Sequence, residues 1–247
     1  MLRHLVVKEL KVRYRRTTMG IVWSLAQPLL PALILSIVFS RALEPPGAAH
    51  VPYVLFLVAG LAPWSFFAGA VSMASGAFVA NGYILTKVYF PRAILPAASV
   101  LTATVEFAGT CTLLCGWVMF AGWPIHLSWL WLPVLFVFTM LFAFLIAIGI
   151  ASLNVLYRDV RHALPFLLQV WLYATPVLYS PLLVPAKWRW LLGLNPMTGI
   201  VLGFRHVLLG TPFDLDLAAA SACGAVLASI AGIVVFLRLQ DALAERV

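Results

Sequence analysis

The sequence predicts an all-α membrane protein of one domain, residues 1–247. It has six transmembrane helices, an N-terminal amphipathic helix in the membrane interface, and two short extracellular (periplasmic) helices before the last span. Three observations carry that expectation. Residues of the AVILMFWYC set make up 64% of the chain and charged residues only 10%, with a mean hydropathy of +1.04, whereas a soluble domain is about half apolar and a quarter charged. The 247 residues suffice for roughly six or seven spans of about 20 apolar residues, with little left for a soluble domain. The charges fall in short clusters between long charge-free runs.

Residues 2–17 read as the interface helix. At about 100° per residue, His4, Lys8, Lys11 and Arg15 share one face, and Leu2, Val6 and Leu10 lie opposite. The first span covers 18–40. Its apolar run is longer than the roughly 7–15 residues of a signal-peptide core and leads into Arg41 and Pro45-Pro46, so a retained helix is expected. Residues 52–75 form the second span, made irregular by Gly60, Pro63 and Gly69, and Lys87 and Arg92 follow it. Spans three and four occupy 93–121 and 127–156, divided by the turn Gly122-Trp123-Pro124. The fifth covers 163–183, with Pro165 and Pro176 as kinks. The sixth covers 217–237 and is stopped by Arg238.

The insert at 185–210 needs its own account. Asn195 reads as an N-cap, Pro196 as the first helical position and Gly210 as the stop. The stretch from Pro196 to Leu209 reaches about 21 Å at 1.5 Å per residue, short of the ~30 Å hydrocarbon core. A second short helix precedes it from Pro185 to Leu192, closed by Gly193, with Trp188 and Trp190 at interfacial positions. A re-entrant or surface-lying pair is expected.

The net charge of +8 (16 Lys+Arg against 8 Asp+Glu) does not indicate nucleic acid, because its placement follows the membrane. Six basic residues lie in residues 1–16, and Lys87, Arg92, Arg158, Arg161, Arg238 and Arg246 fall on the same side of a six-span arrangement. Arg41, Lys187, Arg189 and Arg205 fall on the other. That asymmetry puts both termini in the cytoplasm. It also sets the basic segment Lys8, Lys11, Arg13, Tyr14, Arg15 against anionic lipid, as an anchor or as the border of a substrate entrance. Cys111, Cys115 and Cys223 sit in apolar runs without ligand-spaced partners and are expected to be buried, inert thiols. No metal site is expected.

Glu106 is the one carboxylate deep within an expected span. Such a residue costs roughly +2.5 to +3.5 kcal/mol at a helix centre, so it should face protein or water, beside Ser99, Thr102, Ala103, Gly109 and Thr110. A proton relay is one reading of it. Two ladders, Ala143/Ala147/Ala151 and Gly224/Ala228/Gly232, repeat every four residues and suit close helix packing. Phe166, Gln169 and Tyr173 share a face of the fifth span, fit for stacking on sugar rings or for core packing. The chain contains no G-x-x-x-x-G-K-[ST] loop, H-E-x-x-H or G-x-S-x-G. No catalytic residue and no ATP site of its own is expected.

Several motifs taken in order are similar to the ABC-2 type permeases, closest to the subgroup exporting lipid-linked polysaccharides such as O-antigen and teichoic acid. They run from Lys11-Val-Arg13-Tyr14 to Gly20, Trp23 and Gln27-Pro28, then Gly60-Leu-Ala-Pro63-Trp64 and Asn81 through Thr86-Lys87-Val-Tyr89-Phe90-Pro91-Arg92. They continue with Asn154-Val-Leu-Tyr157-Arg158-Asp159-Val-Arg161, Pro165-Phe166, Gln169, Thr175-Pro176 and Asn195-Pro196-Met197. Ala62 stands where that family carries Leu. The resemblance implies two permeases paired around a central channel, each docked to a separate nucleotide-binding ATPase subunit that holds ATP and Mg; no cofactor is implied on this chain. It places the ATPase-coupling segment at 81–92 (Asn81, Tyr83, Lys87, Tyr89, Phe90, Pro91, Arg92), with a second contact at Tyr157, Arg158, Asp159 and Arg161. It implies a structural or channel-lining role for Glu106; the residues themselves suggest a substrate entrance beside the interface helix and Thr102, Phe166, Gln169 and Tyr173 as further channel candidates. The expected function is ATP-driven export of a lipid-linked glycan across the bacterial inner membrane. The alternative from another class is a proton-coupled secondary transporter using Glu106; a membrane-embedded glycan-modifying enzyme lacks any acid/base pair.

Overall fold

The computed structural model describes residues 2–14, 22–39, 51–83 and 90–240, which contain helices and no strand. In chain order the helices are α1 (Leu2–Tyr14), α2 (Val22–Phe39), α3 (Tyr53–Ser75), α4 (Ala77–Ala80), α5 (Ile94–Phe120), α6 (Leu132–Leu156), α7 (Val160–Ala174), α8 (Ala186–Leu194), α9 (Pro196–Leu209) and α10 (Leu215–Leu239). A 3₁₀ turn, Leu127–Trp131, leads into α6. Among the described residues four helical stretches are long and apolar enough to cross a membrane: α3, α5, Leu127–Leu156 and α10. The pair α8 and α9, bent by 100° at Asn195, makes a fifth if counted as one broken span. Residues 15–17 of the expected interface helix, the loop after the first span and residues 84–89 of the coupling segment lie outside the described residues.

Helix α3 is the centre, packed against α2, α5, α6 and α9. Between helices in lipid there is little hydrophobic driving force, so close fit and hydrogen bonds hold the bundle. Aromatic stacking supplies part of the fit: Phe107 of α5 lies between Phe66 and Phe136, at ring-centroid distances of 4.5 and 4.8 Å. Phe67 stacks on Phe142 at 5.2 Å and takes the edge of Trp171 at 5.2 Å. Such pairs contribute about 0.5–1.5 kcal/mol each beyond area burial.

Small residues supply the rest. Ala143, Ala147 and Ala151 are fully buried on α6. On its other side α6 meets α10 glycine to glycine, where a Cβ on Gly149 would come 2.8 Å from the Gly232 Cα and one on Gly232 would collide with the Leu145 carbonyl. Gly224 packs elsewhere, with the Leu194 carbonyl 3.0 Å from where its Cβ would stand. Gly232→Ala is therefore expected to force the two helices apart and cost about 1–3 kcal/mol. Gly116→Ala, which meets open space, should cost almost nothing. Melting of the purified variants checks this; equal melting temperatures would contradict the glycine contact.

Helix α10 packs on one side only, burying Leu217, Ser221 and Ala225. Its Cys223 is exposed and Cys111 and Cys115 are half-buried, so the expectation of three buried thiols fails: a helix packed on one side leaves the other bare.

The fifth span differs from its expected extent of 163–183. Helix α7 ends at Ala174 and Thr175 is extended, at φ −92° and ψ 138°. Pro176 explains it, because proline disfavours helical backbone in the residue before it and donates no hydrogen bond of its own. The expected kink is a break. Buried irregular backbone needs partners for its polar groups, and here Arg205 of α9 supplies them. Its Nη1 donates to the Pro176 carbonyl at 2.6 Å, its Nη2 donates to the Val177 carbonyl, and its Nε donates to the Phe56 carbonyl at 3.0 Å. Tyr53 Oη donates to the Leu178 carbonyl at 2.9 Å. Arg205, expected among the exterior charges, is 1% exposed. A Cβ on Gly60 would stand 2.7 Å from Arg205 Nη2, which is why α3 carries glycine there.

The α8–α9 corner is held by side chains. Asn195 Oδ1 accepts from the Met197 N–H at 3.0 Å as the N-cap of α9 and from Trp171 Nε1 at 2.9 Å, and its Nδ2 donates to Thr175 Oγ1 at 2.8 Å. Ser221 Oγ of α10 donates to the Asn195 carbonyl at 2.7 Å and accepts from the Gly199 N–H at 2.7 Å. Gly210 ends α9 with φ +66°, in the left-handed region.

Candidate functional site

At one end of the bundle α3 and α6 finish, α5 and α7 begin, and α1 lies against α5. Two of the sequence-selected segments meet there. After α3, the break at Gly76 and the turn of α4 lead to Asn81, whose Nδ2 donates to the Ala77 carbonyl at 2.9 Å and so closes α4. After α6 the chain extends at Tyr157, turns through Arg158 and Asp159, and starts α7 at Val160. Buried Asn154 joins the two, its Nδ2 donating to the Ser75 carbonyl at 2.8 Å.

A cleft of about 1050 Å³ opens between them. Its polar wall carries Arg158, Arg161 and His162, with Ser72, Ser75 and Asn154 behind, and Met73, Val79, Val155 and Leu164 form apolar surface. No carboxylate lines it among the described residues. Two aromatic side chains stand out at this end: Tyr83 is 78% exposed and Tyr157 is 63% exposed.

A second cavity, about 430 Å³, lies between α1 and the ends of α3 and α4, lined by Lys8, Glu9, Asn81 and Ser99. Here the channel candidate Thr102 meets a side chain of α1. Ser99 Oγ donates to Glu9 Oε1 at 3.1 Å, and the Thr102 hydroxyl sits 3.1 Å from Glu9 Oε2 and 2.9 Å from the Ala98 carbonyl. The polar stripe of α5 thus holds α1. Lys8 and Lys11 face outward from α1. Glu9→Ala should release α1 without unfolding the bundle, seen as faster hydrogen exchange over residues 2–14 with melting nearly unchanged; unaltered exchange there would contradict the tie.

The remaining candidates scatter. Glu106 is buried on α5, one turn from Thr110, whose hydroxyl donates to the Glu106 carbonyl at 3.0 Å. Phe166, Gln169 and Tyr173 all face outward from α7, whose Leu164 and Leu168 face in. Phe90, Pro91 and Arg92 lead into α5. Lys87, Tyr89 and Arg15, with the side chains of Arg13 and Tyr14, lie outside the described residues. No group of His, Cys, Asp or Glu that could hold a metal ion occurs among the described residues.

Sequence reasoning gave no role to Glu9 or to Arg205. Both had a signal: Glu9 is the only acid before Glu44, and Arg205 is the only Lys or Arg between Pro196 and Leu209. A lone charge in an apolar helix usually marks a partner.

The bundle, its apolar spans and the polar cleft at one end define a multi-pass helical membrane protein. The profile of the ABC-2 type transporter family matches residues 2–209, and the chain belongs to that family. It is 30% identical over 240 residues to an O-antigen export system permease protein RfbA of Klebsiella pneumoniae, covering 96% of this chain and 91% of that one. A second K. pneumoniae protein of the same name is 28% identical over the same shares. The RfbA of Myxococcus xanthus is 31% identical over 208 residues, 82% of this chain and 78% of that one.

Proposed function

We propose that the chain is the transmembrane subunit of an ATP-driven exporter that carries a lipid-linked polysaccharide, of the O-antigen kind, across the bacterial inner membrane. The observation that carries this reading is end-to-end similarity to O-antigen export permeases, joined to the meeting of the segments after α3 and α6 at one end of the bundle. On this reading the basic end faces the cytoplasm with both termini, and a separate ATPase, holding ATP and Mg, docks on residues 81–92 and on Tyr157, Arg158, Asp159 and Arg161.

Six spans follow if α2 and α7 also cross. The 18 residues of α2 reach about 27 Å and the 15 of α7 about 22 Å, and the irregular backbone after Thr175 completes the latter. Two copies pair with the outward faces of α7 toward a shared path. Gln169, flanked by Phe166 and Tyr173, supports that pairing, since a polar side chain at membrane depth belongs against protein or water. Glu106 then serves packing and the path rather than proton relay. The test is purification of the tagged chain from native membranes in mild detergent. A stoichiometric ATPase polypeptide is expected to co-elute; a transport-active preparation without one would overturn the reading.

A further inference from the structure

The basic cleft has more room and more charge than a docking edge requires. Its volume of about 1050 Å³ sits at the top of the ~300–1,000 Å³ range of small-molecule sites. The side chains of Arg158, Arg161 and His162 have no hydrogen-bond partner among the described residues. The backbone offers no substitute for them, because the first amides of α7 already donate to the carbonyls of Tyr157, Arg158 and Asp159. The floor is equally spoken for, with Ser75 Oγ donating to the Ser72 carbonyl at 2.7 Å and Asn154 to Ser75. What the cleft presents, then, is two guanidinium groups and an imidazole, with Tyr83 at its edge, beside the apolar side chains Met73, Val79, Val155 and Leu164. Asp159, the acid of the same loop, does not line it. Cations in a fork geometry match phosphate oxygens, and an apolar wall at the membrane end of the bundle suits the hydrocarbon attached to one.

We propose that this cleft binds the phosphate group of a lipid-linked substrate, gripped by Arg161 and His162 with the start of its tail along Met73, Val79 and Leu164. The proposal rests on the export reading and names the part of the substrate that reading leaves open. The same phosphate chemistry occurs on bulk anionic lipid. The carrier is favoured because the cleft is cut between the ends of three helices, α3, α6 and α7, where a flat basic surface would serve bulk headgroups.

The test uses the full chain in phosphatidylcholine nanodiscs. Geranylgeranyl diphosphate is the probe, and geranylgeraniol and phosphatidylglycerol are the comparators. The diphosphate is expected to bind at least about tenfold more tightly than either comparator, a difference of ~1.4 kcal/mol. The double variant Arg161→Gln, His162→Gln is expected to lose at least that factor, while Arg161→Lys alone retains most of it. Both residues are exposed, so melting should not change. The proposal is overturned if the double variant binds the diphosphate as wild type does, if the alcohol binds equally, or if phosphatidylglycerol displaces the probe on equal terms. Loss of ATPase co-elution in the double variant, with probe binding intact, would make the cleft a docking surface and overturn it too. Diphosphate binding that depends on Arg161 and His162 in a chain that recruits no ATPase would leave the site standing and remove the exporter reading.

Discussion

Replacing Arg205 with leucine is expected to leave little folded protein. The side chain is 1% exposed, and its guanidinium lies 3.5 Å over the Phe56 ring. It reaches the carbonyls of Phe56, Pro176 and Val177, with Tyr179 at 3.5 Å. Those acceptors come from the first turn of α3 and from the chain released where α7 breaks, so one residue fastens three elements. Leucine would strand carbonyls away from water, at about 1–3 kcal/mol for each one left unpaired. Total stability of a domain is roughly 5–15 kcal/mol. Arg205→Lys keeps a charge but replaces a planar fork with a single ammonium, and is expected to fall between wild type and leucine. Gel filtration of detergent-solubilised protein after a heating series reads the effect. An Arg205→Leu protein melting within about 2 °C of wild type, less than ~1 kcal/mol, would show that the carbonyls find other donors.

On the proposed export function, the pair Tyr83→Ala, Tyr157→Ala is expected to separate the chain from the proposed ATPase partner while leaving the bundle intact. Both rings are largely exposed, on the two segments that the α1 end brings together. Tyrosine is enriched among residues whose truncation costs an interface about 2 kcal/mol or more. Losing both should therefore weaken docking by roughly two to three orders of magnitude. Titration of purified ATPase onto nanodisc-embedded variants measures this, with melting of the chain as the control. Undiminished affinity would move the docking surface away from these two segments.

What could be read in advance was what local chemistry fixes. Asn195, Pro196 and Gly210 each carry a backbone preference that acts within a few residues, and α9 starts and stops on them. Gly122-Trp123-Pro124 separates α5 from the turn before α6 for the same reason. The extent of α7 was not legible, since proline in a membrane helix can kink or end it. The difference is decided by whether a neighbour supplies donors, and that neighbour, Arg205, is 29 residues from Pro176. In the site, the segments that would converge were legible as motifs. Their cleft was not, because it depends on how α3 and α6 end against each other through Asn154 and Ser75. Thr102 was legible as part of a polar stripe with Glu106; that its hydroxyl meets Glu9, 93 residues away, was not, because it follows from the docking of α1 on α5.

The most direct test of the central claim is reconstitution of the chain with its ATPase in proteoliposomes loaded with a lipid-linked glycan, scoring glycan that reaches the opposite face. Transport that requires the ATPase, ATP and Mg together and ignores an imposed proton gradient is the predicted result. Gradient-driven transport by the chain alone, abolished by Glu106→Gln, would contradict it.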